Sequence, residues 1–178
     1  MATGHVFIAS SLDGFIARRH GEIDWLSHPG MDNEDHGYEA FMATVDGLIM
    51  GRGTYEMARS FGSWPYAKPV IVLSHKLADS EVPPDLVGRV RFWNSRPSET
   101  MELVKAEGWN RVYIDGGKTI QAFLQEGLIA EMIITRIPIL IGTGLPLFGP
   151  TEKDIKLKHQ STKSFPSGLV QSHYEVGR

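Results

Sequence analysis

The sequence predicts an α/β domain built on a mostly parallel, twisted sheet with helices on both faces. Three observations predict it. Short apolar runs recur along the chain, as strands covered on both faces require. Stretches with helical spacing of apolar residues alternate with them. The resulting order strand, helix, strand, helix argues for parallel strands joined by right-handed crossovers.

The elements follow in order. His5–Ser10 is the first expected strand. It turns at Asp13-Gly14, resumes with Phe15-Ile16-Ala17, and a polar loop leads to Trp25. This segment is either a mobile lid or an ordinary hairpin with Trp25 in the core. A helix is expected over Glu34–Ala43, a strand at Gly47–Met50 and a helix at Thr54–Phe61. Strands at Val70–Leu73 and Val90–Trp93 come next. Helix Glu99–Glu107 stops at Gly108. After strand Arg111–Ile114, helix Thr119–Glu126 places Ile120, Phe123 and Leu124 on one face and stops at Gly127. Met132–Ile139 and Val170–Val176 are the last expected strands. No helix follows the second, so the sheet should finish with an antiparallel edge. No repeat or long linker divides the 178 residues, so one domain, 1–178, is expected.

Composition narrows the function. The formal net charge is −3 at pH 7, with no basic block, which gives no attraction to nucleic acid or an anionic membrane. The chain has no cysteine, so disulfide scaffolds, thiolate metal sites and cysteine nucleophiles are excluded. A cytoplasmic setting fits. The opening "MATGHVFIASSLDGFIARR" lacks an early basic region and reads as strand and turn rather than signal peptide. "LIAEMIITRIPILIGTGLPLFG" carries Glu131, Arg136 and two prolines, and reads as buried strand rather than membrane helix.

Four stretches bear on chemistry. "VYIDGGKTIQAFL" contains Gly117-Lys118-Thr119, the tail of a triphosphate-binding loop. That loop needs a glycine five positions before Gly117, and Val112 stands there. What remains is strand, Gly116-Gly117, helix: a place for a diphosphate at a helix N-terminus, or a plain tight turn. "LIMGRGTYEMARSFG" repeats the arrangement and adds Arg52, a phosphate-compatible cation, before Thr54. "PVIVLSHKL" ends a strand in Ser74, His75 and Lys76. Three strand ends with phosphate-compatible groups make a nucleotide cofactor the leading hypothesis, because open α/β sheets bind ligands there. "HPGMDNEDHG" gathers His28, Asp32, Glu34, Asp35 and His36. It matches neither the calcium-loop nor the zinc-hydrolase spacing and reads as a solvated loop, with no metal expected.

These motifs, in this order, resemble a known family. "IASSLDGFIA", "DGLIMGRGTYE", "PVIVLS", "YIDGGKTIQAFL" and "IITRIPILIGTGLPLF" look like the dihydrofolate reductase-like fold, a three-layer α/β architecture. The closer match is the branch containing the reductase domain of the riboflavin-pathway deaminase–reductase. The resemblance runs from about His5 to Val176. It implies an oxidoreductase that binds NADPH and passes a hydride to a small substrate, as a dihydrofolate reductase or 5-amino-6-(5-phosphoribosylamino)uracil reductase does. Carried over by position, Ala9 and Ile16 would border the nicotinamide. Gly51, Arg52 and Thr54 would hold the phosphate region. Leu73, Ser74 and His75 would flank the adenosine, with Arg52 and Ser74 near the 2′-phosphate. Gly116, Gly117, Lys118, Thr119 and Ile120 would cradle the diphosphate, with a cis bond expected between the two glycines. Trp25 and Thr135 would lie on the substrate side. A homodimer is also implied.

The chain departs from its models. The pterin-binding carboxylate of dihydrofolate reductases falls at Gly37. The lysine usual in riboflavin-pathway reductases falls at Phe15. The substrate therefore stays open, and so does an alternative: an NADP-binding module without catalysis. Asp115 stands where dihydrofolate reductases are apolar. It either meets the substrate or handles a proton, or it caps Thr119 or the helix N–H groups.

Overall fold

A computed structural model describes residues 1–27 and 29–177; His28 lies outside them. The chain forms β1 (Thr3–Ser11), β2 (Phe15–Ala17), α1 (Tyr38–Thr44), β3 (Gly47–Gly51), α2 (Arg52–Ser60), β4 (Val70–Leu73) and β5 (Val90–Trp93). Then come α3 (Pro97–Ala106), β6 (Arg111–Asp115), α4 (Gly117–Gln125), β7 (Ile129–Ile137), β8 (Leu145–Pro146), β9 (Leu157–Ser164) and β10 (Val170–Val176). The main sheet has the order β5-β4-β3-β6-β1-β7-β10-β9, and β2 pairs with β8 in a small second sheet. β5 through β7 run parallel. β10 is antiparallel to β7, and β9 to β10.

Strand alternation gives the sheet two apolar faces, each covered by helices. On the front face Leu48, Met50, Val70, Val72, Phe92 and Tyr113 pack with Phe41 of α1 and Tyr55 of α2. On the back face Val6, Ile49, Ile71, Ile114 and Met132 pack with Met101 and Val104 of α3 and with Ile120, Phe123 and Leu124 of α4. The α4 spacing that the sequence shows is the stripe that the back core uses.

Boundaries differ where local chemistry intervenes. α1 starts at Tyr38 rather than Glu34, because Gly37 turns the chain at φ +82° and Asp35 accepts its N–H at 2.7 Å. β7 ends at Ile137 because Pro138 brings no N–H to a ladder. β9 has no counterpart in the apolar pattern: all eight of its residues are exposed, so it carries no inward-facing periodicity. The expected antiparallel edge is present, but β9 rather than β10 is its outermost strand.

Candidate active site

The sheet parts where it has to accept a ligand. β3 and β6 are parallel neighbours, with Met50 beside Asp115. Yet α2 leaves β3 for the front face and α4 leaves β6 for the back. Helices diverging from adjacent strands open a crevice at the carboxyl ends. The split widens toward β1, whose pairing with β6 stops at His5 and Tyr113 although both strands continue.

The two helix starts meet across this crevice. Neither α2 nor α4 has a side-chain cap, so their first-turn N–H groups face outward with the positive ends of both dipoles. A Cβ on Gly116 would stand 2.5 Å from the Thr54 hydroxyl, and one on Gly51 2.9 Å from the Thr119 hydroxyl. The Gly-Arg-x-Thr and Gly-Gly-x-Thr motifs therefore interlock. Gly116 turns the chain at φ +93°, a conformation open to glycine. That rotation makes the turn, and the expected cis bond to Gly117 is absent: the described residues contain no cis peptide. A Cβ at Gly53 would meet nothing within 4 Å, which leaves room beside the α2 N-terminus. Arg52 and Lys118 are exposed at the rim, Arg52 with a 3.0 Å ion pair to Glu56. This donor set fits the diphosphate of a dinucleotide. Ile120 lies beneath it: its side chain is fully buried and its N–H donates to Gly116.

Neighbouring elements frame the cradle. Leu73 ends β4, Ser74 is buried, and its hydroxyl accepts the N–H groups of Lys76 and Leu77; His75 is exposed. On the other side the chain turns after β1, and β2 lies against the start of α4, paired with β8 rather than with β1 as a hairpin would require. A Cβ on Gly117 would stand 3.1 Å from Ile16 and 2.7 Å from the Pro146 carbonyl, so only glycine lets β2 and β8 close here. Asp13 fixes that closure. It accepts the Ser11 hydroxyl at 2.6 Å and the N–H groups of Gly142 at 2.8 Å and Ile141 at 3.3 Å. Of the two readings of this segment, Trp25 takes the core one: it is 5% exposed among Ile137, Phe165 and Leu169, with Ala9 packed alongside.

The front side of the crevice holds Asp115. Its carboxylate accepts the N–H of Gly116 at 2.8 Å, and Thr119 faces Gly51 instead, so it does not cap Thr119. Burial pushes the carboxyl up to about 6, against the Gly116 N–H and the Tyr113 and Tyr66 phenols, which favour its charge. The Tyr113 hydroxyl itself donates to the Phe7 carbonyl at 2.8 Å, in the stretch where β1 has left β6. Tyr38 is pushed up to about 12 by burial and by the Asp115 charge, and Tyr66 is raised by the same causes. Thr135, buried beside Ala9, accepts a 2.9 Å bond from the Gln171 amide, which also donates to the His36 carbonyl. Glu34 is bound to His36 and Ser167. Tyr38, Tyr66, Tyr113 and Gln171 escape the sequence reading, which gave Asp13 a turn and not the closure it holds. Only Tyr113 had a signal there: it precedes Asp115 by two, hence shares its strand face.

An apolar hollow of about 350 Å³ lies elsewhere, between Gln121 and Leu124 of α4, Met132 and Ile155. It lacks the convergent donors and acceptors of the crevice.

The sheet order, the divergent helix starts and the antiparallel edge define a dihydrofolate reductase-like α/β protein. Within that class, the chain belongs to the RibD C-terminal domain family, whose model matches residues 2–171. It is 36% identical over 172 residues to the uncharacterized protein YwjB of Bacillus subtilis (strain 168), covering 95% of each chain. It is 46% identical to a putative riboflavin biosynthesis protein from Shewanella sp. PV-4, whose crystal structure matches with a TM-score of 0.92 over 100% of both chains. The riboflavin biosynthesis reductase of Saccharomyces cerevisiae shares the fold at 14% identity, with a TM-score of 0.68 over 99% of this chain and 90% of that one.

Proposed function

We propose that the chain is an NADPH-dependent reductase of a small polar heterocycle, of the pterin or ribosylaminopyrimidine kind. The observation that carries this is the pair of uncapped helix starts converging on a crevice that runs to Asp115. Family membership supports it, as does the name of the yeast neighbour as a riboflavin biosynthesis reductase.

When bound, NADPH supplies a hydride from its nicotinamide. The chain supplies position and charge. The first-turn N–H groups of α2 and α4 hold the diphosphate. Arg52, Ser74 and His75 meet the 2′-phosphate, which favours NADPH over NADH. Ala9 and Ile16 border the nicotinamide, and the β2–β8 closure limits water above it. Asp115, able to hold a proton near neutral pH, binds the substrate or exchanges a proton at its heteroatom. The protein is proposed to act in the cytoplasm, and none of its described helices is long and apolar enough to cross a membrane.

The test is to titrate NADPH by its fluorescence, then follow loss of its absorbance with pterins, ribosylaminopyrimidines and simple carbonyl compounds. Tight NADPH binding, weaker NADH binding and oxidation by one class are expected. Binding without oxidation across the panel would favour a non-catalytic NADP module, and no binding would end both readings.

A further inference from the structure

Residues 145–150 carry β8 across the outer side of α4, and Gln121 meets them there. Gly117, Gln121 and Gln125 stand at i, i+4 and i+8, hence along one stripe of the helix. The Pro146 carbonyl lies against Gly117, where a Cβ would stand 2.7 Å from its oxygen. The Gln121 amide donates to that same carbonyl at 3.1 Å and to the Leu147 carbonyl at 3.2 Å. One turn on, the Gln125 amide donates to the Pro150 carbonyl at 3.3 Å. A side-chain amide has two N–H groups, and Gln121 commits both to this segment. Both partners are carbonyls, so only the amide nitrogen can face them. Gly149 completes the seat: a Cβ there would stand 2.6 Å from the Gln121 Oε1 atom.

Apolar packing gives this segment little hold. Leu147 is buried, whereas Leu145 is 41% exposed and Phe148 46%. The apolar hollow of about 350 Å³ opens beside Phe148, Gly149 and Pro150, where packed side chains would otherwise give support. β2 depends on the same segment. Among the described residues it pairs with β8 and with no strand of the main sheet, Phe15 opposite Pro146 and Ala17 opposite Leu145. Leu147 also donates its N–H to the Gly14 carbonyl at 3.0 Å. Asp13 holds the far end of the closure, at Ile141 and Gly142. Gln121 holds the end next to the helix start. Support therefore runs from α4 through Gln121 to β8, and from β8 to β2 with Ile16.

We propose that Gln121 is a positioning residue for the nicotinamide end of the cofactor site: its amide clamps β8 onto α4, and β8 in turn sets β2 and Ile16 against Gly117. This role rests on the reductase reading, which places the nicotinamide beside Ile16. The clamp itself is a property of the free chain. Ser74 and His75, where that reading places the 2′-phosphate, take no part in it.

Two variants separate the amide's bonds from its bulk. Gln121→Met keeps the side-chain length and removes the donors. Gln121→Glu keeps the shape and turns a carboxylate toward two carbonyl oxygens. Hydrogen exchange is followed on the full chain without ligand, and NADPH and adenosine 2′,5′-bisphosphate are then titrated calorimetrically. Exchange at residues 14–17 and 145–149 should quicken by about tenfold in Gln121→Met and by more in Gln121→Glu. The β3 and β6 amides should stay as they are, which also reports that the variants fold. NADPH should weaken about fivefold in Gln121→Met and further in Gln121→Glu, while the bisphosphate stays within about twofold. Glutamate is the nearer in shape to glutamine, so a steric role alone predicts the opposite order. Unchanged exchange, that opposite order, or equal loss for NADPH and the bisphosphate would overturn the proposal. Should Gln121→Glu fail to fold, Gln121→Met and the split between the two ligands decide alone. A wild-type chain that binds no NADPH would end the reductase reading and the cofactor role with it, whereas NADPH binding with unchanged exchange would end the clamp and keep that reading.

Discussion

Asp115 and Glu131 are carboxylates on neighbouring parts of one sheet with opposite consequences for stability. Asp115 titrates near 6 when folded and near 3.8 when unfolded. The unfolded chain therefore gives up this proton more readily, and the residue costs stability above pH 6 but not below pH 3.8. Asp115→Asn keeps an oxygen for the Gly116 N–H. It should raise stability at pH 7.5 by roughly 2 kcal/mol, with the gain vanishing near pH 4. Thermal melts across pH check this, and a lower melting temperature at pH 7.5 would contradict it. Glu131 is the converse. Burial would raise its carboxyl, but bonds from Arg111 at 2.6 Å, His5 at 2.8 Å and His173 at 3.0 Å hold it down to about 2. Its folded pKa is below its ordinary 4.5, so its contribution is whole above that pH and lost as pH falls toward 2. Burial and the Arg111 charge lower His5, which keeps a neutral ring that gives its Nδ1 proton to Glu131 and takes the Thr3 hydroxyl on Nε2. Glu131→Gln should cost about 2 kcal/mol at pH 7, read by denaturant unfolding.

At the scale of elements, the site depends on two helix starts locked by glycine. Gly116→Ala would strain a φ of +93° and drive a methyl into the Thr54 hydroxyl. NADPH affinity should fall by about tenfold or more, with stability down by about 1–3 kcal/mol. Unchanged affinity would remove the interlock from the account. These starts were legible because glycine and threonine at fixed spacing are local signals. So were β3, β4 and β6, whose centres read as unbroken apolar runs, and β5, which was legible despite Arg91 in its middle. β9 was not legible, because a strand exposed on both faces has nothing for periodicity to mark. The rings around Asp115 were equally hidden. Tyr38, Tyr66 and Tyr113 come from α1, a loop and β6, and only the sheet order brings them together. The cis bond expected at Gly116-Gly117 came from resemblance, and a positive φ at the first glycine makes the turn instead.

At the scale of the molecule, topology creates the site. β3 and β6 send their helices to opposite faces, so the crevice follows from strand order rather than from any one residue. The other end of the sheet is open: β9 offers an eight-residue edge with no neighbour among the described residues. A second copy is the proposed cover, in keeping with the homodimer that the sequence resemblance implies. Light scattering should give twice the monomer mass, and a monomer at high concentration would remove the dimer. One crevice is proposed to hold NADPH and to present it toward Asp115. A crystal structure with NADP⁺ tests it most directly. The diphosphate is expected between residues 51–54 and 116–119, with the nicotinamide between Ala9 and Ile16. A dinucleotide bound elsewhere, or none bound at saturating concentration, would contradict it.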